Sequence, residues 1–250
     1  MKAIFNADDF GYSKGVNLGI IETYQCGPVR SATIMAGMPG FDHAVTLAKA
    51  NPGLNLGVHL TLSTGSSVGG VYKTLTDGDG RFLRLDEAER KARAGETDLD
   101  EVEAEYEAQI QKVLAAGVKP DHLDSHHHTH NLPGIVTVFL KMAKKYGVKV
   151  RAVDKSLLTG EYAGIRTTDS FSIDFYGETA TMADLQRILT DGGGEGSIEI
   201  MCHPAFIDYN LHTSSSYNIT RAYELNILTN PEIMSFMAQC GIELCSFREL

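Results

Sequence analysis

Basic side chains are in short supply. Lys and Arg number 22 against 32 Asp and Glu, a formal net charge of −10 over 250 residues. That balance argues against a protein that grips nucleic acid or an anionic membrane, because both select a basic face. Cysteine is scarce as well. Cys26, Cys202, Cys240 and Cys245 are scattered without a CxxC pair, which excludes a disulfide scaffold and a Cys-rich zinc module from the expected classes. No run approaches the roughly 18 consecutive apolar residues that a membrane span needs. The opening Met1–Asp9 passes from a short apolar strand straight into acid, with no stretch long enough for a signal peptide. A cytoplasmic protein is the expectation. Repeats and Pro- or Ser-rich linkers are missing too, as are a GxSxG elbow and a cysteine nucleophile signature. Gly192-Gly193-Gly194 lacks the P-loop lysine and reads as a flexible connector.

What is present is a globular composition, 43% hydrophobic, with short apolar runs alternating with helical patterns from end to end. Strands are expected at Ala3–Ala7, Ser31–Met35, Leu54–His59, His122–His126, Val148–Val153, Ser170–Ile173, Ser197–Cys202 and Ile242–Ser246. Helix-like segments lie between them at Lys14–Gln25, Asp42–Ala50, Leu99–Ala116, Ile135–Tyr146, Met182–Thr190, Arg221–Leu228 and Pro231–Gln239. In the clearest helix, Leu99, Val102, Tyr106, Ile110, Val113 and Leu114 recur at three- and four-residue steps. Asp98 and Glu101 stand as a plausible capping pair and Gly117 as a stop. Alternating strands and helices predict an α/β architecture with parallel strands. Eight strands in this length fit a (β/α) barrel, TIM-like in outline with room for distortion, better than an open sheet.

Four polar clusters follow expected strand ends: Asp8-Asp9, His59, the run His122–His130, and His203. In a parallel barrel these ends gather at one mouth, so residues remote in sequence can meet there. Adjacent carboxylates repel, so Asp8-Asp9 reads either as a turn in Asp-Asp-Phe-Gly or as a division of labour between a metal ligand and a base. Positions 122, 124, 126, 128 and 130 are His, Asp, His, His and His. If the extended chain persists, all five face one side, an arrangement suited to a hydrated or metal-lined cleft, with a His-rich surface loop as the plainer reading. His59 gains weight only as a third ligand, since one carboxylate plus two imidazoles is a familiar divalent-metal set. His203 in Cys-His-Pro-Ala reads by itself as structural. Asp77-Gly78-Asp79-Gly80 lacks the EF-hand series and is expected to be a hairpin or surface loop.

At these residues the chain resembles the YdjC-like carbohydrate deacetylase family, whose best-known members are chitooligosaccharide deacetylases. The resemblance rests on Asn6–Gly11, Gly57–Leu62, His122–His130 and Met201–Pro204. It continues more softly through Leu75–Phe82, Ser215-Ser216-Tyr217, Arg221 with Glu224-Leu225, and Gly241–Leu244, in the expected order along the whole chain. Ala205 departs from the family pattern, which carries glycine after the His-Pro pair.

The resemblance implies a distorted (β/α) barrel of the glycoside hydrolase/deacetylase type, with residues 1–250 as a single YdjC-like deacetylase domain. It implies one divalent metal ion, Mg2+ or Zn2+, held by Asp9, His59 and His126. Asp8 is then the general base and His203 the general acid. His128 and Arg151, at the exits of the fourth and fifth strands, are expected to contact substrate, and Asp124 to orient a ligand imidazole from behind. The expected reaction is hydrolysis of an N-acetyl group from an amino sugar, releasing acetate. The expected partner is a small carbohydrate substrate, with no nucleic acid and no membrane, and a homodimer stays open. A metal-dependent phosphoesterase and a non-catalytic sugar- or metal-binding protein are the alternatives; the first usually needs two metal ions and more carboxylates.

Overall fold

The computed structural model describes residues 1–192 and 196–250, so Gly193 and Gly194 of the expected connector lie outside the described residues. The chain runs β1 (Lys2–Phe10), α1 (Lys14–Cys26), β2 (Val29–Ile34), α2 (Phe41–Ala50), β3 (Asn55–Leu60), α3 (Leu85–Ala94), α4 (Leu99–Ala115), β4 (His122–Ser125), α5 (Ile135–Tyr146) and β5 (Lys149–Val150). It continues through β6 (Ser170–Ser172), α6 (Met182–Asp191), β7 (Ser197–Cys202), α7 (Tyr209–Ser214), α8 (Ile219–Leu228), α9 (Pro231–Gln239) and β8 (Glu243–Leu244). The strands form one sheet in the order β5-β4-β3-β2-β1-β7-β6, with β8 added to the start of β1, and every pairing is parallel. This is the expected barrel in distorted form: among the described residues, the end strands β5 and β6 are not paired with each other.

The helices bury one face each against the sheet. In α4 the buried residues Val102, Tyr106, Ile110 and Val113 follow the predicted stripe, while Leu99 at its start stays exposed. Asp98 caps α4 by accepting from Asp100 N–H, but Glu101 does not complete a capping box. Its carboxylate turns instead to the backbone N–H groups of Lys73 and Thr74. Glu105, one turn on, accepts from Val68 and Gly69 N–H. The long segment after β3 is thereby tied to α4. Within it Asp77 accepts from Asp79 and Arg81 N–H, forming the anticipated turn. Helix α3 carries only a thin apolar side, since only Ala92 is buried, which explains why periodicity does not announce it.

The barrel interior is polar. Asn6, Thr33, His122, Asp124, Arg151 and Glu199 are all essentially inaccessible to solvent. Gly57 makes room for one of them, because a Cβ there would stand 2.6 Å from His122 Cε1. At the bottom, Phe247 stacks on His122 with ring centroids 3.9 Å apart, and its backbone N–H donates to Ser31 Oγ at 3.2 Å. The segment after β8 therefore closes the floor, and the polar column above it opens only at the C-terminal strand ends. No helix among the described residues is long and apolar enough to cross a membrane.

Candidate active site

β1 delivers both acids through a defect in its pairing. Ala7 pairs with Ala32 of β2 and Phe10 with Ile34, so three steps along β1 match two along its neighbour. Asp9 takes a left-handed conformation, φ 70°. In a regular strand adjacent side chains face opposite sides; the bulge lets Asp8 and Asp9 both line the pocket at the mouth. A second strained stretch lies opposite. β4 ends at Ser125, and the chain turns through a 3-10 segment in which His127 and His128 have φ 55° and 53°. Non-glycine residues held there cost about 1–3 kcal/mol each, a strain that concentrates at functional sites. This turn overturns the expectation that positions 122 to 130 share one face. His122 and Asp124 point into the barrel, while His126, His127 and His128 line the pocket by leaving strand geometry.

The pocket has a volume of about 310 Å³. On its floor Asp9 Oδ1 lies 2.8 Å from His126 Nδ1 and 3.3 Å from His59 Nε2. One ligand atom from each of these residues falls within 4.8 Å of the others. Ligand atoms bonded at about 2.1 Å and subtending roughly 90–110° stand roughly 3.0–3.4 Å apart, a range that the His59 separation meets and that the His126 hydrogen bond falls just short of, so small adjustments would seat a divalent cation. The donor set fits too. His59 Nδ1 lies 2.8 Å from Asp124 Oδ1, a carboxylate oxygen that only accepts, so the ring proton sits on Nδ1 and Nε2 is left to face Asp9. Burial works against charging His59, yet Asp124, Asp9 and Asp8 outweigh it and push the imidazole up to about 10. An acid-rich centre that draws a proton this strongly is one that a cation would satisfy equally well. In a second grouping, Asp8, His59 and Asp124, both carboxylates are already engaged by Arg151.

The two neighbouring acids are held by different arginines. Arg221 Nη2 donates to Asp9 Oδ2 at 2.6 Å, leaving Oδ1 to the imidazoles. Burial raises the Asp9 carboxyl, but His126 and Arg221 hold it well below the ordinary range. Arg151 grips Asp8 bidentately, Nη1 to Oδ2 at 2.6 Å and Nη2 to Oδ1 at 2.7 Å. Asp8 is buried as well, which raises its carboxyl, and the Arg151 charge more than offsets this. Asp8 is therefore ionised, oriented, and free of the three-residue cluster. Its Oδ2 also faces His203 Nε2 at 3.9 Å. His203 is set by Glu224, which accepts from its backbone N–H at 2.5 Å and places Oε1 3.7 Å from Nδ1.

Arg151 is a correction. Expected to contact substrate, it is fully buried and absent from the pocket lining, with Asp8, Asp124 and Glu199 surrounding its guanidinium. A charge desolvated that completely is held by partners and has no face left for a ligand. His128 does line the pocket, and burial, with Arg151 nearby, lowers its imidazole to about 4, so it meets the cavity neutral. The sequence-based reading assigned no roles to Arg221, Glu224, Tyr217, Tyr176 or Glu199. Tyr176 and Tyr217 stack at 4.0 Å beside His203, and the Tyr217 hydroxyl donates to Glu224. The available signal for Glu199 was an acid in the middle of the apolar run Ile198-Glu199-Ile200.

A family model described as YdjC-like protein matches residues 2–239. A carbohydrate deacetylase of Brevibacillus brevis is 44% identical over 252 residues, and one of Listeria monocytogenes 43% over 251, each alignment covering the whole of both chains. Among solved structures, a cellobiose-phosphate cleavage protein of Enterococcus faecalis V583 is 34% identical and superposes with TM-score 0.89, over 99% of this chain and 98% of the other. A polysaccharide deacetylase from Bacillus cereus superposes with TM-score 0.51 at 13% identity, over 98% of this chain and 91% of the other, a likeness of fold alone. With its full length aligned to these relatives and its barrel matched, the chain belongs to the YdjC-like family.

Proposed function

We propose that this chain is a metal-dependent carbohydrate N-deacetylase, acting as one domain over residues 1–250. The observation that carries the reading is the separation of duties on one pocket floor. Asp9, His59 and His126 present a ligand set, while Asp8, its neighbour in sequence, is oriented by Arg151 within 3.9 Å of His203. The names of the full-length relatives supply the substrate class. Asp9, His59 and His126 would hold one divalent ion, Zn2+ or Mg2+, which when bound supplies Lewis acidity to the acetyl carbonyl and the attacking water.

Asp8 accepts the proton that the water gives up as its oxygen adds to the carbonyl carbon. His203 donates a proton to the nitrogen as the C–N bond breaks, because an amine anion is too basic to leave at neutral pH. Acetate and a free amino sugar result. His127 and His128, kept neutral by burial, offer uncharged ring nitrogens to the sugar, an N-acetylglucosamine-containing saccharide. The Asp-His-His set leans toward zinc, since hydrated magnesium usually prefers oxygen ligands.

A two-metal phosphoesterase is disfavoured by Arg151, which occupies the carboxylates a second ion would need. The test is acetate release from a panel of N-acetylated mono- and oligosaccharides, alongside phosphate release from phosphorylated ones, with and without a chelator. Chelator-sensitive acetate release is the expected result; phosphate release without acetate would overturn the reading.

A further inference from the structure

Glu199 lies on β7, one layer behind the pocket, and touches neither the proposed metal ligands nor the cavity lining. It is fully buried, an expensive place for an acid. Among the described residues, its side-chain partner is the arginine behind the base. Arg151 Nε donates to Glu199 Oε1 at 2.8 Å, and Nη2 lies 2.7 Å from the same oxygen. The adjoining edge of the guanidinium, Nη1 with the shared Nη2, is the one that grips Asp8. Arg151 follows the two-residue strand β5, and its backbone N–H donates to Leu123 O of β4 at 2.9 Å, which holds the root and leaves the plane of the long side chain to be set by its partners. A planar fork pinned at its Nε edge can present its other edge in only one plane.

We propose that Glu199 is a positioning residue for the general base, fixing the plane of Arg151 and through it the carboxylate of Asp8. The inference rests on the deacetylase reading. Among the described residues, Glu199 Oε2 has no hydrogen-bond partner. Three acids, Asp8 from β1, Asp124 from β4 and Glu199 from β7, surround this one guanidinium. Burial pushes the Glu199 carboxyl up to about 7, with Arg151 opposing and the other two acids adding. A proton on the free Oε2 leaves Oε1 as an acceptor, so the clamp depends on the reach of the side chain and not on its charge.

Reach and charge separate cleanly in two conservative variants. Glu199→Asp keeps the charge and withdraws the oxygens by about 1.5 Å, one C–C bond. Glu199→Gln keeps the reach and an accepting oxygen without the charge. Steady-state acetate release is measured for both in the metal-loaded full-length chain, with bound metal and thermal melting recorded for each. The expected result is a kcat at least tenfold lower for Glu199→Asp with KM within twofold, and a kcat within about threefold of wild type for Glu199→Gln. In an Arg151→Lys background Glu199→Asp should cost less than a further twofold, because its effect travels through Arg151. Equal activity of the two variants, a larger loss in Glu199→Gln, a change confined to KM, or additivity in the double variant would each overturn the assignment. Wild-type protein that releases no acetate from any acetylated sugar would instead overturn the deacetylase reading itself.

Discussion

Asp124→Asn tests the centre most sharply, because every group around this side chain is a donor. Oδ1 lies 2.8 Å from His59 Nδ1. Oδ2 accepts from Thr33 Oγ1 at 2.9 Å and Asn6 Nδ2 at 3.3 Å, and lies 3.1 Å from Arg151 Nη2. An amide offers one oxygen and one NH2, so it must set a donor against a donor. Turning the NH2 toward Thr33, Asn6 and the cationic Arg151 is the worse choice, and the amide nitrogen therefore faces His59. The imidazole can answer only by accepting at Nδ1 and carrying its proton on Nε2, the nitrogen that faces Asp9. Loss of such an orienting partner weakens metal binding about 10- to 100-fold, or about 1.4–2.7 kcal/mol. The assay is titration of metal-stripped protein with Zn2+ against a chromophoric chelator, with circular dichroism to establish folding. A folded variant that binds within twofold of wild type would refute both the tautomer assignment and the role of His59 as a ligand.

Four other outcomes follow from the same geometry. Asp8→Asn should keep its metal and lose about 10²- to 10⁴-fold in turnover, whereas Asp9→Asn should bind metal weakly; metal analysis alongside kinetics separates them, and normal behaviour of both would refute the division of labour. In the metal-free protein His59 is raised to about 10. Its pairing with the acids therefore contributes stability that is complete below its ordinary pKa of about 6.5 and is lost as pH rises through about 10. Melting temperature of the metal-free form should fall across that window. Metal uptake at neutral pH should release a proton, visible by calorimetry in buffers of different ionisation enthalpy, and none would be seen if His59 were already neutral. Arg221→Met takes the arginine from the buried Asp9 Oδ2 and should cost about 3–5 kcal/mol in urea unfolding of the metal-free protein; a loss under 1 kcal/mol (roughly the worth of a surface pair) would contradict the burial.

The residues that meet at the mouth were legible because barrel strands end in the same place: Asp8-Asp9, His59, His126 and His203 each follow an apolar run, and topology does the rest. The period-two reading failed after Ser125 because His127 and His128 adopt left-handed backbone, which strand periodicity does not encode. Arg151 was misread since a lone arginine after a strand looks the same whether it faces solvent or three acids. Its partners come from β1, β4 and β7, and only the assembled sheet brings them together. Helix α3 escaped notice because its apolar side is carried by little more than Leu85, Ala88 and Ala92 among charged residues, and β5 and β8 proved shorter than the apolar runs that contain them.

The irregular step between Ala7 and Phe10 makes the two aspartates an indivisible unit. Removing one residue there would restore regular alternation and swing one carboxylate out of the mouth, so neither acid can drift to a new position independently. Substitutions elsewhere around the rim can reshape what the cavity admits, but a deletion at this step should silence the protein even where the barrel survives.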